Sequence, residues 1–290
     1  MSPAEGSAAP AQTASTPVFV ETSTALPIVS VLVAFRSGSA HDPPGKDGLG
    51  RIAARMLRRG SKGLSSQQFE ETVDALGGEF AADASVSAST VHFEVIQRNL
   101  DAFVDRIAAT LAEPSFDEAE MQRLLREAEA ELIEARDSDR SLASRAFRRT
   151  LFSGHPYGRR VSGSIATLRG LTPADARAFY GRHYTRANAV VAISGDIEAA
   201  EGHALAERLL AGLPAGEAIV DPVEPPGRLP GRHLVFVDKP ERTQTQMVIG
   251  GLGTDARDAD HVPLLVANTV FGGTFTSRLM QEVRAKRGWS

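Results

Sequence analysis

Pro27-Ile28-Val29-Ser30-Val31-Leu32-Val33-Ala34-Phe35 is dense in β-branched residues and is followed by Gly38, which predicts a strand. Val18 to Glu21 predicts a short strand before it. Beyond the polar turn Asp42-Pro43-Pro44-Gly45, the residues Leu49, Ile52, Ala53, Met56 and Leu57 recur at i, i+3, i+4, i+7 and i+8. That spacing makes one apolar helix face, and Gly60 and Gly63 stop the helix. A second helix carries Phe69, Val73 and Leu76 and ends at Gly77-Gly78. Two strands follow, Glu79 to Asp83 and the alternating Val91, Phe93 and Val95.

Further on, Leu100, Phe103, Val104, Ile107 and Leu111 form the stripe of a helix that starts at Asn99. Ser115 with Glu118 suggests a capping box for a helix from Glu118 to Arg136, and another helix is expected from Ser141 to Phe152. Thr172-Pro173-Ala174-Asp175 reads as a helix start with Pro at the first helical position. Ala189 to Ser194 predicts a strand closed by Gly195-Asp196, and a helix follows over 198–210. The order predicts the α+β class, with helices packed on one face of a mixed or antiparallel sheet.

The pattern then starts again, after a break. Pro222, Pro225, Pro226 and Pro230 mark residues 221–231 as a linker. After it, His233 to Val237 and Gln246 to Gly250 predict strands, His261 to Phe271 a helix, and Thr274 onward a further helix. The reading is two repeats of one fold, the first over 18–220 and the second, incomplete, over 232–290. Residues 1–17 are Ala, Ser, Thr and Pro with almost no large apolar side chain, the composition of a disordered lead-in.

Composition excludes several classes. The chain of 290 residues is 42% hydrophobic and 23% charged with net charge −4, so the clustered basic excess of a nucleic-acid binder is not expected. No apolar run is long enough to span a membrane. Without cysteine, disulfides and thiolate metal sites are excluded. The lead-in lacks the basic start and apolar core of a signal peptide. It fits the mature end of an exported protein or a plain tail, so bacterial periplasm and cytoplasm both stay open, with the balance toward the periplasm.

Several stretches together resemble the pitrilysin/insulinase type of zinc peptidase, in its two-repeat, bacterial, mitochondrial-processing-peptidase-like branch. They are Phe35-Arg36-Ser37-Gly38-Ser39 with Gly48-Leu49-Gly50, then Leu76-Gly77-Gly78, then His155-Pro156-Tyr157-Gly158 with Gly163 and Leu171-Thr172. Ser194-Gly195-Asp196, Phe271-Gly272-Gly273, Ser277-Arg278-Leu279 and the run Glu282 to Gly288 complete the likeness. The resemblance implies a zinc site of the form His-x-x-Glu-His on the first helix. Its two imidazoles, one turn apart, face one metal, and the Glu activates the zinc-bound water. A further Glu from a later helix is the third ligand.

In this chain that window is Arg51-Ile52-Ala53-Ala54-Arg55. Arg51 and Arg55 stand in place of the two His, and Ala54 in place of the Glu. Leu132 falls at the third ligand, with Glu131 and Glu134 in neighbouring registers. A guanidinium offers no lone pair and stays charged, so no metal or other cofactor is expected here. Arg51 and Arg55 also have a plainer reading, as a helix face solvated or paired with nearby acids. None of His41, His92, His155, His183, His203, His233 and His261 lies at helical ligand spacing from another. His203 with Glu207 reads as a solvated face, and His92 as a surface or packing residue. No Gly-x-Ser-x-Gly elbow, cysteine nucleophile or phosphate loop is present.

In the family's second repeat, an Arg and a Tyr seven residues apart contact the substrate. By resemblance the Arg is Arg284, in Arg284-Ala285-Lys286-Arg287-Gly288, and the Tyr would fall just beyond Ser290. The implied function is that of a peptidase pseudoenzyme: a non-catalytic subunit that binds peptide substrate for a zinc-bearing partner of the same family. The alternatives are a purely structural scaffold and a peptide-binding protein with no part in hydrolysis. A homodimer is a further option for the isolated chain.

Overall fold

The computed structural model describes residues 16–219 and 224–289. Most of the lead-in expected over 1–17, and residues 221–223 of the expected linker, lie outside them. Alternation along the strands sets the first layer. The strands β1 (Val18–Thr22) and β2 (Ile28–Phe35) are followed by a small ribbon, β3 (Gly60–Ser61) and β4 (Leu64–Ser65). Then come β5 (Gly78–Ala84), β6 (Ser89–Ile96) and β7 (Ala189–Gly195). The main sheet has the order β1-β7-β2-β6-β5. Only β1 and β7 run parallel; the other three pairs are antiparallel.

Every second residue of the central strands is buried. Val29, Val31, Val33 and Phe35 of β2 sit beside Val91, Phe93 and Val95 of β6 and Val191 and Ile193 of β7. The intervening residues, such as Leu32 and His92, stay at least partly exposed. The helices are α1 (Leu49–Met56), α2 (Ser66–Ala75), α3 (Leu100–Ala112) and α4 (Glu118–Glu134). They continue with α5 (Asp139–Leu151), α6 (Ile165–Leu168), α7 (Pro173–His183) and α8 (Ala199–Leu210). Except for α5, which buries no residue, they share one continuous core with the buried strand residues. The predicted architecture, helices on one face of a mixed sheet, is the one observed.

Helix starts obey local chemistry. Thr172 caps α7 in a capping box with Asp175. The box expected from Ser115 and Glu118 does not form. Phe116 adopts a left-handed backbone (φ 44°), which turns Ser115 away to donate to the carbonyl of Gly60 (3.1 Å). Asp117 caps α4 instead, accepting from the N–H groups of Ala119 and Glu120.

Contacts divide the chain into two units. The first runs up to Gly227 and takes in Gly231–Val248; the second comprises Arg228–Pro230 and Ile249 onward. The second unit holds α9 (His261–Asn268), α10 (Arg278–Met280) and two π-helical stretches, Thr269–Gly273 and Gln281–Ala285. The segments His233 to Val237 and Gln246 to Gly250 are not strands. A β-rich sequence becomes a strand only where a neighbour takes its backbone hydrogen bonds, and neither segment is paired among the described residues. Their apolar side chains remain out, with Leu234 94%, Phe236 80% and Ile249 86% exposed.

Candidate functional site

The helix α1 is positioned from its first turn. Asp42 is buried, and its carboxylate accepts from the N–H of Gly48 and of Gly50, both at 2.7 Å, satisfying donors that a helix start leaves open. Arg159 donates to the carbonyl of Asp42 (2.8 Å), and Thr167 donates to the carbonyl of Asp47 (2.8 Å). The loop from His155 to Gly163 is thereby laid against the start of α1. Gly163 has φ 66°, and a Cβ there would stand 2.2 Å from the Asp47 carbonyl oxygen, so only glycine lets the two backbones meet. Gly163→Ala is therefore expected to lower stability by about 2–3 kcal/mol, from left-handed strain plus the clash. Urea unfolding checks this; a loss below about 0.5 kcal/mol would contradict the close approach.

On one side of α1 and of the turn Leu57–Arg59 that continues it, arginines recur at every fourth residue. Arg51 donates from Nε to Asp83 Oδ1 (3.0 Å) and from Nη1 to Glu131 Oε2 (3.0 Å). Arg55 Nη1 lies 2.9 Å from Oε1 of the same Glu131. Arg59 pairs with Glu127 and lies 3.8 Å from Glu120. The result is an ion-pair ladder between α1 and α4, whose upper rung clasps two guanidinium groups on one carboxylate. Burial pulls the Arg51 guanidinium down, but Asp83 and Glu131 outweigh it and hold it above the ordinary arginine range. Ala54 is fully buried, and Leu132 is part of the core. Of the positions singled out from the sequence, the fold brings Arg51 and Arg55 together, and the acid they meet is Glu131. Among the described residues no group of three or more His, Cys, Asp or Glu could hold a metal ion.

Sequence reasoning missed Asp83 and Arg59. Arg59 had a signal, since Arg51, Arg55 and Arg59 repeat at i, i+4 and i+8 against glutamates at 127 and 131. Asp83 had none, because its role depends on where the edge strand β5 lies. The histidines go elsewhere. His92 Nε2 meets Ser30 Oγ at 3.0 Å on the sheet, His203 is exposed, and His155 Nδ1 accepts from the N–H of Tyr157 (3.1 Å).

His183 is buried, its ring 5.4 Å from that of His41. Burial, then the charges of His41 and Arg182, push it down to about 4. Asp42 goes the other way: burial raises it to about 6 against the pull of the Gly50 and Gly48 N–H groups. Between about pH 4 and 6.5 the unfolded chain protonates His183 first, so its contribution to stability rises with pH. Over about pH 4 to 6 the folded chain holds the Asp42 proton that the unfolded chain has lost, so that contribution falls with pH. Each slope is worth up to about 1.4 kcal/mol per pH unit, and the two oppose. Asp42→Asn should expose the rise due to His183, measured as a steeper gain in stability between pH 4.5 and 6 than in the unaltered chain. Equal slopes would contradict the assignment.

Arg284, in the second unit, lies in the stretch Gln281–Ala285 with its guanidinium 5.9 Å from the centre of the Phe275 ring. Comparison with known families accounts for both halves of the sequence. Residues 18–164 match the profile "Insulinase (Peptidase family M16)", and residues 170–290 match "Peptidase M16 inactive domain". The chain belongs to peptidase family M16. An uncharacterized zinc protease of Rickettsia bellii is 26% identical over 261 residues, 90% of this chain and 62% of that protein. A non-peptidase homolog from Helicobacter pylori is 22% identical over 277 residues, covering 95% of this chain and 63% of its own length. The crystal structure of a peptidase M16 inactive domain from Pseudomonas fluorescens superposes with a TM-score of 0.83 at 23% identity, over 94% of this chain and 66% of that one. This chain spans between 54% and 63% of the length of such curated relatives. Among the described residues no helix is long and apolar enough to cross a membrane.

Proposed function

We propose that this chain is the non-catalytic half of a two-chain zinc peptidase and helps bind peptide substrate for a zinc-bearing partner of the same family. The observation that carries the reading is the clasp of Arg51 and Arg55 on Glu131. Where the family resemblance implies a metal, two fixed positive charges meet the local carboxylates. A divalent cation entering there would be repelled by both guanidiniums and would find no imidazole. The match of residues 170–290 to an inactive-domain profile supports the same reading. Peptide hydrolysis then needs a site from another chain, and Arg284 is this chain's candidate contribution to it.

The test is reconstitution. The full protein and a family member carrying His-x-x-Glu-His are mixed, and peptide cleavage is followed for each alone and for both. Cleavage only by the pair supports the proposal. Equal cleavage by the partner alone, with the complex formed, favours the scaffold alternative.

A further inference from the structure

The stretch from Arg136 to Arg160 carries seven arginines against two aspartates, in a chain whose net charge is −4. One of those aspartates, Asp139, is already engaged by Lys239 (2.8 Å) and Arg242 (3.6 Å). Lys239 also donates to the carbonyls of Arg136 and Asp137, which adds positive charge at the corner between α4 and α5. Some arginines elsewhere in this unit find acids: Arg58 meets Glu70, Arg169 meets Glu129, and Arg208 meets Asp101 and Asp105. Among the described residues, Arg136, Arg140, Arg145, Arg148, Arg149 and Arg160 have no carboxylate within ion-pair distance. What sets this wall apart is that six such guanidiniums are concentrated on and beside a single helix.

The wall is fixed in place beside the clasp. Phe152, His155 and Tyr157 pack ring on ring, with centroids 4.9 to 6.0 Å apart. Ser87, in the turn that follows β5, donates to the hydroxyl of Tyr157 (3.1 Å), and β5 carries Asp83 of the clasp. The bond from Arg159 to the Asp42 carbonyl ties the same loop to the start of α1. Arg136 stands five residues beyond Glu131. Arg160 is half-buried, and burial together with Arg145 and Arg136 pulls its guanidinium below the ordinary arginine range. Like charges held together without a counter-charge are suited to an anion supplied from outside.

We propose that the arginine-lined wall formed by α5 and the loop to Arg160 binds an acidic peptide segment, whose carboxylates lie against Arg136, Arg145 and Arg160. The arginines are distributed along a helix of 13 residues, roughly 20 Å long, so they match several carboxylates along a chain better than one small anion. The apolar residues of α5, Leu142, Phe147 and Leu151, are half-buried against the protein. They leave no apolar face to enter a bilayer, as an interfacial helix requires. The inference deepens the peptide-binding reading above, and rests on it, by giving the peptide a sign of charge.

Fluorescence anisotropy on the full protein tests it, with labelled peptides of about a dozen residues: one Glu-rich, its Gln counterpart, and a Lys-rich control. The Glu-rich peptide should bind about tenfold or more tighter than the Gln one at low salt, and the preference should shrink as salt rises. Arg145→Glu with Arg160→Glu should abolish the preference, while Arg160→Lys keeps most of it, all variants retaining the helical circular dichroism of the parent. Equal binding of Glu and Gln peptides overturns the acidic preference while the peptide-binding reading stands. Partner-assisted cleavage without any Glu-peptide binding likewise overturns only this inference. Tighter association with phosphatidylglycerol vesicles than with the Glu peptide overturns it in favour of a membrane surface. Failure of peptide binding and of assisted cleavage together removes both.

Discussion

Arg51→His with Arg55→His is expected to bind one zinc ion per chain, and the unaltered protein is expected to bind none. The two guanidiniums already converge on the two oxygens of Glu131. Imidazole is shorter than the arginine side chain, so the exchange opens room between α1 and α4 while keeping both ring nitrogens on the same helix face, at i and i+4. The helices are held in place independently, by Ile52 and Met56 of α1 and Leu124, Leu125, Ala128 and Leu132 of α4 in the core. Two imidazoles and a carboxylate are a known catalytic zinc set with one open position. Free zinc at about a hundred times its dissociation constant would stabilise the fold by about 2.7 kcal/mol, a rise in melting temperature of roughly 5–10 °C for a unit of this size. Glu131→Gln in the same background should remove the rise. Hydrolysis is not expected to return, because Ala54 supplies no base for the bound water. Elemental analysis that finds no zinc in a folded double variant would show that the clasp does not preserve the metal geometry, and stoichiometric zinc in the unaltered protein would contradict the closed clasp itself.

How much of the fold is legible in the sequence depends on the range of each interaction. The strand β2 followed from the density of β-branched residues between Ile28 and Phe35, and α1 from the spacing of Leu49 to Leu57, since both patterns are local. The cap at Thr172 was equally local. The start of α4 was not: one left-handed residue, Phe116, moved the cap from Ser115 to Asp117. The third-ligand position shows a finer limit. Adjacent helical residues differ by about 100° in direction, so spacing alone could not decide between Leu132, which enters the core, and Glu131, which meets both arginines. The apolar runs at His233 to Val237 and Gln246 to Gly250 read as strands from composition, yet composition cannot supply the neighbour that makes a strand.

Arg284→Ala is expected to lower the turnover of the reconstituted pair by roughly 100- to 1,000-fold, the usual cost of removing one donor to a developing oxyanion. The basic run around it sorts the candidates. Lys286 is engaged one turn back with Glu282, and the guanidinium of Arg287 lies 5.1 Å from the centre of the Trp289 ring. Arg284 has only the edge of a cation–π contact with Phe275 and no acid partner among the described residues, so its donors remain open to a substrate carbonyl or oxyanion. Lys286→Ala and Arg287→Ala should therefore change the joint rate by less than about fivefold, since surface contacts of that kind are worth at most about 1 kcal/mol. A contact made only in the transition state lowers kcat and kcat/KM together, whereas a contact to bound substrate shows first in KM. A fall confined to KM would make Arg284 a substrate anchor. An unchanged joint rate, with the complex still assembled by size-exclusion chromatography, would remove Arg284 from the reaction and leave the family fold acting as a scaffold.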